Sequence, residues 1–217
     1  MLAGRNVGSQ VITAPAFSTA PARVRVATGN TGTGSATTIA VNMVTAPANG
    51  NTMIAVISTR GTSSGRVTSI AQTGATWTRA SQSVGTGGST TEIWYAPNVS
   101  GAAAAVTITQ ASLRSAAVVM EYSGVLAAGA LDQVANSSGN SAAADTGTTP
   151  ATTQTSELWI GGIGLVNSSW TLGTPLNSFT SPANAQSTST TTANNAKVYA
   201  LERIVTATGT ANSGGTV

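Results

Sequence analysis

Thr37-Thr38-Ile39-Ala40-Val41-Asn42-Met43 sets Ile39, Val41 and Met43 at alternate positions, with Thr38 and Asn42 among the residues between them. Successive side chains of a strand point to opposite faces, so this spelling buries one face and leaves the other wet. After the turn residues 47–51, Met53-Ile54-Ala55-Val56-Ile57 is nearly continuous in apolar residues and fits a central strand covered on both faces. Further β-type runs follow at 67–72, 76–81, 92–95, 106–109, 116–122, 157–166 and 197–205, separated by Gly, Pro, Asn and Ser. Short runs at this spacing predict an all-β fold, an antiparallel β-sandwich of jelly-roll-like type. Thr73-Gly74-Ala75 reads as a hairpin loop between its flanking runs. Gly161, Gly162 and Gly164 mark a bulge or a close approach of sheets. No helix of ordinary length is predicted.

Outside these runs the chain is polar and small. Residues 124–152 read as a long loop, and 181–195 as another polar stretch. Residues 1–21 carry Gly4, Gly8, Pro15 and Pro21 and keep neither a strand nor a helix period, so an extended N-terminal arm precedes a sandwich domain at 22–217. Val11, Ile12 and Phe17 give that arm an apolar character suited to lying on a neighbouring subunit. Gly214-Gly215-Thr216-Val217 reads as the approach to one more strand, which would leave an edge open to another chain.

The 217 residues are enough for one large domain with a sizeable core. Only 7% are charged while 41% are hydrophobic, so the surface is built largely from Ser, Thr, Asn, Gln and Gly. The nine basic residues are scattered, Arg23 and Arg25 being the one close pair, and a solvated strand face is expected for them. This is not the clustered footprint of a nucleic-acid binder. There is no export-signal pattern and no apolar run long enough to span a bilayer.

The sequence contains no cysteine and no histidine, which removes disulfides, thiolate chemistry, His-based zinc sites and the Ser-His-Asp triad. Carboxylates remain: Glu92, Glu121, Asp132, Asp145, Glu157 and Glu202. A glycosidase would need two of them facing one cleft about 5–10 Å apart. A lone glutamate inside an apolar strand more often binds an arginine or a backbone amide. Asp132 and Asp145 lack the spacing that would impose calcium coordination. No catalytic, cofactor or metal residue is therefore expected, and no cofactor. Of the four tryptophans, Trp77, Trp94 and Trp159 sit inside apolar runs and read as core. Trp170, in the turn Asn167-Ser168-Ser169-Trp170, is the one expected to be exposed and available to a partner.

Val67-Thr68-Ser69-Ile70, Gly74-Ala75-Thr76-Trp77-Thr78, Glu92-Ile93-Trp94-Tyr95-Ala96, Val106-Thr107-Ile108, Glu121-Tyr122-Ser123-Gly124 and Leu131-Asp132, in that order, resemble a β-sandwich module of phage structural proteins and bacterial surface proteins. The resemblance covers about residues 22–210 and implies a jelly-roll-like fold without a catalytic site. An almost isolated module behind a short arm fits a capsid decoration or cement protein of a phage virion. Such a protein is made in the host cytoplasm, forms homo-oligomers, and binds the major capsid protein or other virion proteins, with no nucleic-acid or membrane partner. The alternative is a carbohydrate-binding, receptor-binding module of a tail fibre or adhesin, with a glycan as partner.

Overall fold

The computed structural model describes the backbone of residues 5–13 and the whole of residues 20–217. Its strands are β1 (Arg5–Thr13), β2 (Ala22–Asn30), β3 (Ala36–Asn42), β4 (Thr52–Arg60), β5 (Val67–Ala71), β6 (Thr78–Val84), β7 (Ser89–Ala96) and β8 (Ala105–Leu113). They continue as β9 (Ser115–Ser123), β10 (Leu131–Gly139), β11 (Ala143–Asp145), β12 (Glu157–Leu165), β13 (Thr180–Gln186), β14 (Lys197–Val205) and β15 (Gly214–Thr216). The one helical turn among the described residues is a 3-10 turn at Thr192–Asn194. Every strand pairing among the described residues is antiparallel.

The sandwich has more layers than two. A middle sheet, β2-β9-β4-β7-β6, lies between β10-β1-β12-β14-β13 on one side and β3-β8-β5 on the other. Ile54, Val56, Ile93, Val118 and Met120 of the middle sheet pack on Leu158, Ile160, Val198 and Ala200. Its opposite face, with Met53, Ala55, Ile57 and Val119, packs on Ile39, Val41, Val106 and Ile108. This explains the two spellings in the sequence: β3 alternates because one face is wet, whereas β4 is buried at every position except Arg60. A third cluster lies on the far side of β12 and β14, where Trp159, Leu201 and Val205 meet Ala144, Phe179 and Ala211 beneath the short β11-β15 pair.

β12 keeps a regular register against both neighbours, so its glycines mark close packing and not a bulge. A Cβ on Gly162 would lie 2.6 Å from Val56 Cγ1, and one on Gly164 would lie 2.7 Å from Ser58 Oγ and closer still to Thr91 Oγ1. The middle sheet touches the β12 backbone at these two positions.

Three local expectations are corrected. Residues 67–72 and 76–81 do not form a hairpin, because β5 pairs with β8 and β6 with β7, in different sheets. Gly74 is required in the crossing loop, where its φ is +73° and a Cβ would come within 2.6 Å of Gly101 C. The stretch 124–152 contains β10 and β11, and 181–195 contains most of β13. Both β10 and β13 are outermost strands, half wet, which is why no apolar alternation announces them. Pro182 fits the bulge in β13, an edge position where a missing N–H costs nothing.

At the termini, Arg5–Thr13 of the segment expected as an arm pairs on both sides, with β10 and with β12. The residues Gly214–Thr216 form β15 against Ala143–Asp145. No helix among the described residues is long and apolar enough to cross a membrane.

Candidate functional site

Glu92 and Trp94 lie two apart on β7 and therefore share a face. The Trp94 indole N–H donates to Glu92 Oε2 (3.0 Å), and the Val67 amide of β5 donates to Oε1 (3.0 Å). Arg79, directly opposite Trp94 on β6, places its guanidinium over the ring, 5.8 Å from the centroid, and 3.6 Å from the carboxylate. β12 repeats the device. The Trp159 indole N–H donates to Glu157 Oε2 (2.8 Å), and Arg203, directly opposite on β14, lies 5.2 Å over the Trp159 ring. A buried indole N–H needs an acceptor, and a glutamate two residues earlier supplies one without leaving the strand. The repeated Glu-x-Trp spelling was visible in the sequence as a signal for this unit.

Glu121 and Glu202 hold the edge strand β2. Glu121 accepts from the Ala48 amide (2.8 Å) and the Asn51 side chain (2.6 Å), and Arg25 Nε lies 2.6 Å from its other oxygen. Tyr122, between the layers, donates a 2.5 Å hydrogen bond to Glu202, which also pairs with Arg23 at 3.4 Å. Burial, followed by the Glu202 charge and its hydrogen bond, pushes the Tyr122 hydroxyl well above its ordinary range. Arg23 and Arg25 are thus each paired with a glutamate while keeping part of their side chains in solvent, 33% and 25% exposed. On the same strand Val24 and Val26 stay exposed, at 45% and 37%. Beside them Arg25 donates to Thr45 O (2.8 Å), next to Val44, which is 86% exposed at φ +67°.

The four strand glutamates do not form a catalytic pair of the glycosidase kind. Glu157 faces the third cluster and Glu202 lies between two sheets, while Glu92 and Glu121 share a face two strands and four positions apart, about 17 Å by strand geometry. Burial pushes the Glu157 carboxyl up, against the hydrogen bonds from Trp159, Thr152 and the Gln154 amide. An acid whose folded pKa lies above its unfolded one favours the fold while protonated. Its contribution is full below the unfolded value, about 4.3, and is lost as pH rises through the folded one. Denaturant midpoints of the wild type minus those of Glu157→Gln should therefore fall with rising pH across that window; a flat difference would refute the assignment.

Asp132 accepts from the Thr153 amide (2.7 Å) and hydroxyl (3.1 Å), while Asp145 accepts from the Gly147 amide (2.6 Å) and Asn212 Nδ2 (3.1 Å). The two aspartates serve separate loops. No group of three His, Cys, Asp or Glu side chains gathers among the described residues.

Next to the second Glu-x-Trp unit the surface opens into two adjoining clefts of about 710 and 370 Å³, which share Trp159, Arg203 and Thr210. The larger is also lined by Asp145, Thr148, Leu176, Asn177, Ser178 and Asn212. Of the residues expected to meet partners, Val11 and Ile12 lie on β1, opposite Trp159 and Leu158 of β12, with only their backbone described. Phe17 lies outside the described residues. Trp170 is half-buried and packs against the third cluster. The clefts were missed because their residues come from segments far apart in the chain and no local motif joins them.

Compared with protein-family models, curated proteins and solved structures, the chain matches none.

Proposed function

We propose that the chain is a non-catalytic assembly element, a decoration protein that seats on a phage capsid and stabilises it through contacts along its sheet edges. The observation that supports this reading is the β2 edge. Edge strands are ordinarily kept apart by free outward charges, yet here the charges of both arginines are taken up by Glu121 and Glu202, and Val24 and Val26 stay exposed beside them. Val44, a β-branched residue held at positive φ and exposed, adds an apolar contact whose backbone strain has no packing reward within the chain. A partner subunit covering β2 would bury all three valines. Capsids purified without the chain should take it up in a fixed ratio and sediment with it, and Val24→Lys with Val26→Lys should abolish uptake while leaving the thermal midpoint nearly unchanged. Protein that stays monomeric and ignores such capsids would sink the proposal.

A second reading, a glycan-binding module, is favoured by a different observation: the cleft beside Arg203, with its ring of amide and hydroxyl groups.

A further inference from the structure

We infer that the cleft between the β14 end and the β11-β15 pair is a binding site for a neutral sugar, with Asp145, Asn212, Asn177 and Arg203 as its recognising groups. This rests on the glycan-binding reading and names its site and ligand class. The cleft volume, about 710 Å³, falls in the range of sites for small ligands, and the adjoining 370 Å³ cleft extends it past Arg203.

The chemistry of the walls selects the ligand. One carboxylate, Asp145, and one guanidinium, Arg203, line the same cleft with amides and hydroxyls, so their charges offset and neither a cation nor an anion is favoured over a neutral molecule. Planar acceptor and donor groups of this kind match the paired hydroxyls of a pyranose, each of which donates and accepts. Leu176, 51% exposed on the lining, offers an apolar contact for the C–H face of the ring.

The groups are held in place before any ligand arrives. Asn212 Nδ2 donates to Asp145 Oδ2 (3.1 Å) and Thr148 Oγ1 (3.0 Å), and the Gly147 amide fixes the other Asp145 oxygen (2.6 Å). Asn177 Nδ2 donates to Asn212 O (3.0 Å), while Arg203 donates to Asn177 O (3.0 Å) with its guanidinium over Trp159. Asn177 and Ser178 are consecutive non-glycine residues at φ +55° and +60°. Backbone strain at two adjacent positions concentrates at sites where geometry serves a ligand. Trp159 is 4% exposed and serves as the rigid support of Arg203, not as the sugar platform. Prepaid ordering of this kind lowers the entropic cost of binding.

The test uses the full chain against a glycan array and, in solution, the methyl glycosides of glucose, galactose, mannose and N-acetylglucosamine, read by saturation-transfer NMR and by Trp emission. A neutral glycan should bind, and Asp145→Ala and Arg203→Gln should each weaken it at least about tenfold, whereas Val26→Lys should not. Asp145 is exposed and its loss removes only the hydrogen bonds from Gly147 and Asn212, so its variant should remain folded at the assay temperature, which circular dichroism checks and which separates lost binding from lost folding. Glycan binding untouched by either cleft variant would overturn this site while leaving the glycan reading standing. Binding confined to sulfated or sialylated glycans would overturn the neutral class. Silence on the array and with all four glycosides would overturn both the site and the reading.

Discussion

Glu121→Ala should cost about 3–5 kcal/mol, the range for removing one partner of a buried ion pair, and so a large part of the stability of a chain this size. The carboxylate is fully buried, accepts from the Ala48 amide and Asn51 Nδ2, and forms an ion pair with Arg25. Alanine takes the acceptor from the Ala48 amide and Asn51 Nδ2 and leaves the Arg25 charge, on a side chain only 25% exposed, uncompensated. Glu121→Gln keeps one acceptor oxygen and should cost clearly less. In the background Arg25→Leu the Glu121→Leu change should be milder than in the wild type, because the two charges then leave together. Urea midpoints measure the cycle, and amide exchange along β2 and β9 should accelerate first, since the pair ties those strands together. Equal losses in both backgrounds would remove the coupling on which this account depends.

Gly164→Val should be comparably damaging, at least about 3 kcal/mol, the upper end for overpacking a closed core. Strand propensity alone predicts the opposite sign, since valine is the better strand residue. The new side chain has no space: even its Cβ would come within 2.7 Å of Ser58 Oγ and nearer to Thr91 Oγ1, both on the middle sheet. The two sheets would have to separate along β12, whose nine residues are all buried. Thr91→Ala removes the nearest obstacle and should recover part of the loss. A Gly164→Val protein as stable as the wild type would show that the layers do not meet at this glycine.

Much of the candidate chemistry was legible as residue types and little of it as geometry. The want of histidine and cysteine narrowed the chemistry to six acids before any fold was known. That a lone strand glutamate binds an arginine or an amide was also readable, and Glu92 and Glu121 do so. Which arginine each would take was not readable, because the partners come from other strands: Arg25 is 96 positions from Glu121 in the chain. The cleft at Arg203 was equally hidden, built as it is from Asp145 at the end of β11 and from the loop residues Asn177 and Asn212, which share no spelling.

Alternation in β3 and continuous apolar runs in β4 and β9 determined by themselves that the chain is an all-β sandwich with wet outer strands and dry central ones. Local spelling reports how many faces of a strand are buried, because side chains alternate with a period of two. It does not report what covers them. Only the tertiary structure decided that a third sheet lies on the middle one, that polar β10 and β13 are strands at all, and that β5 and β6 part into different layers. Pairing energy in an edge strand comes from backbone hydrogen bonds and a neighbour's shape, neither of which leaves a mark in the order of its side chains.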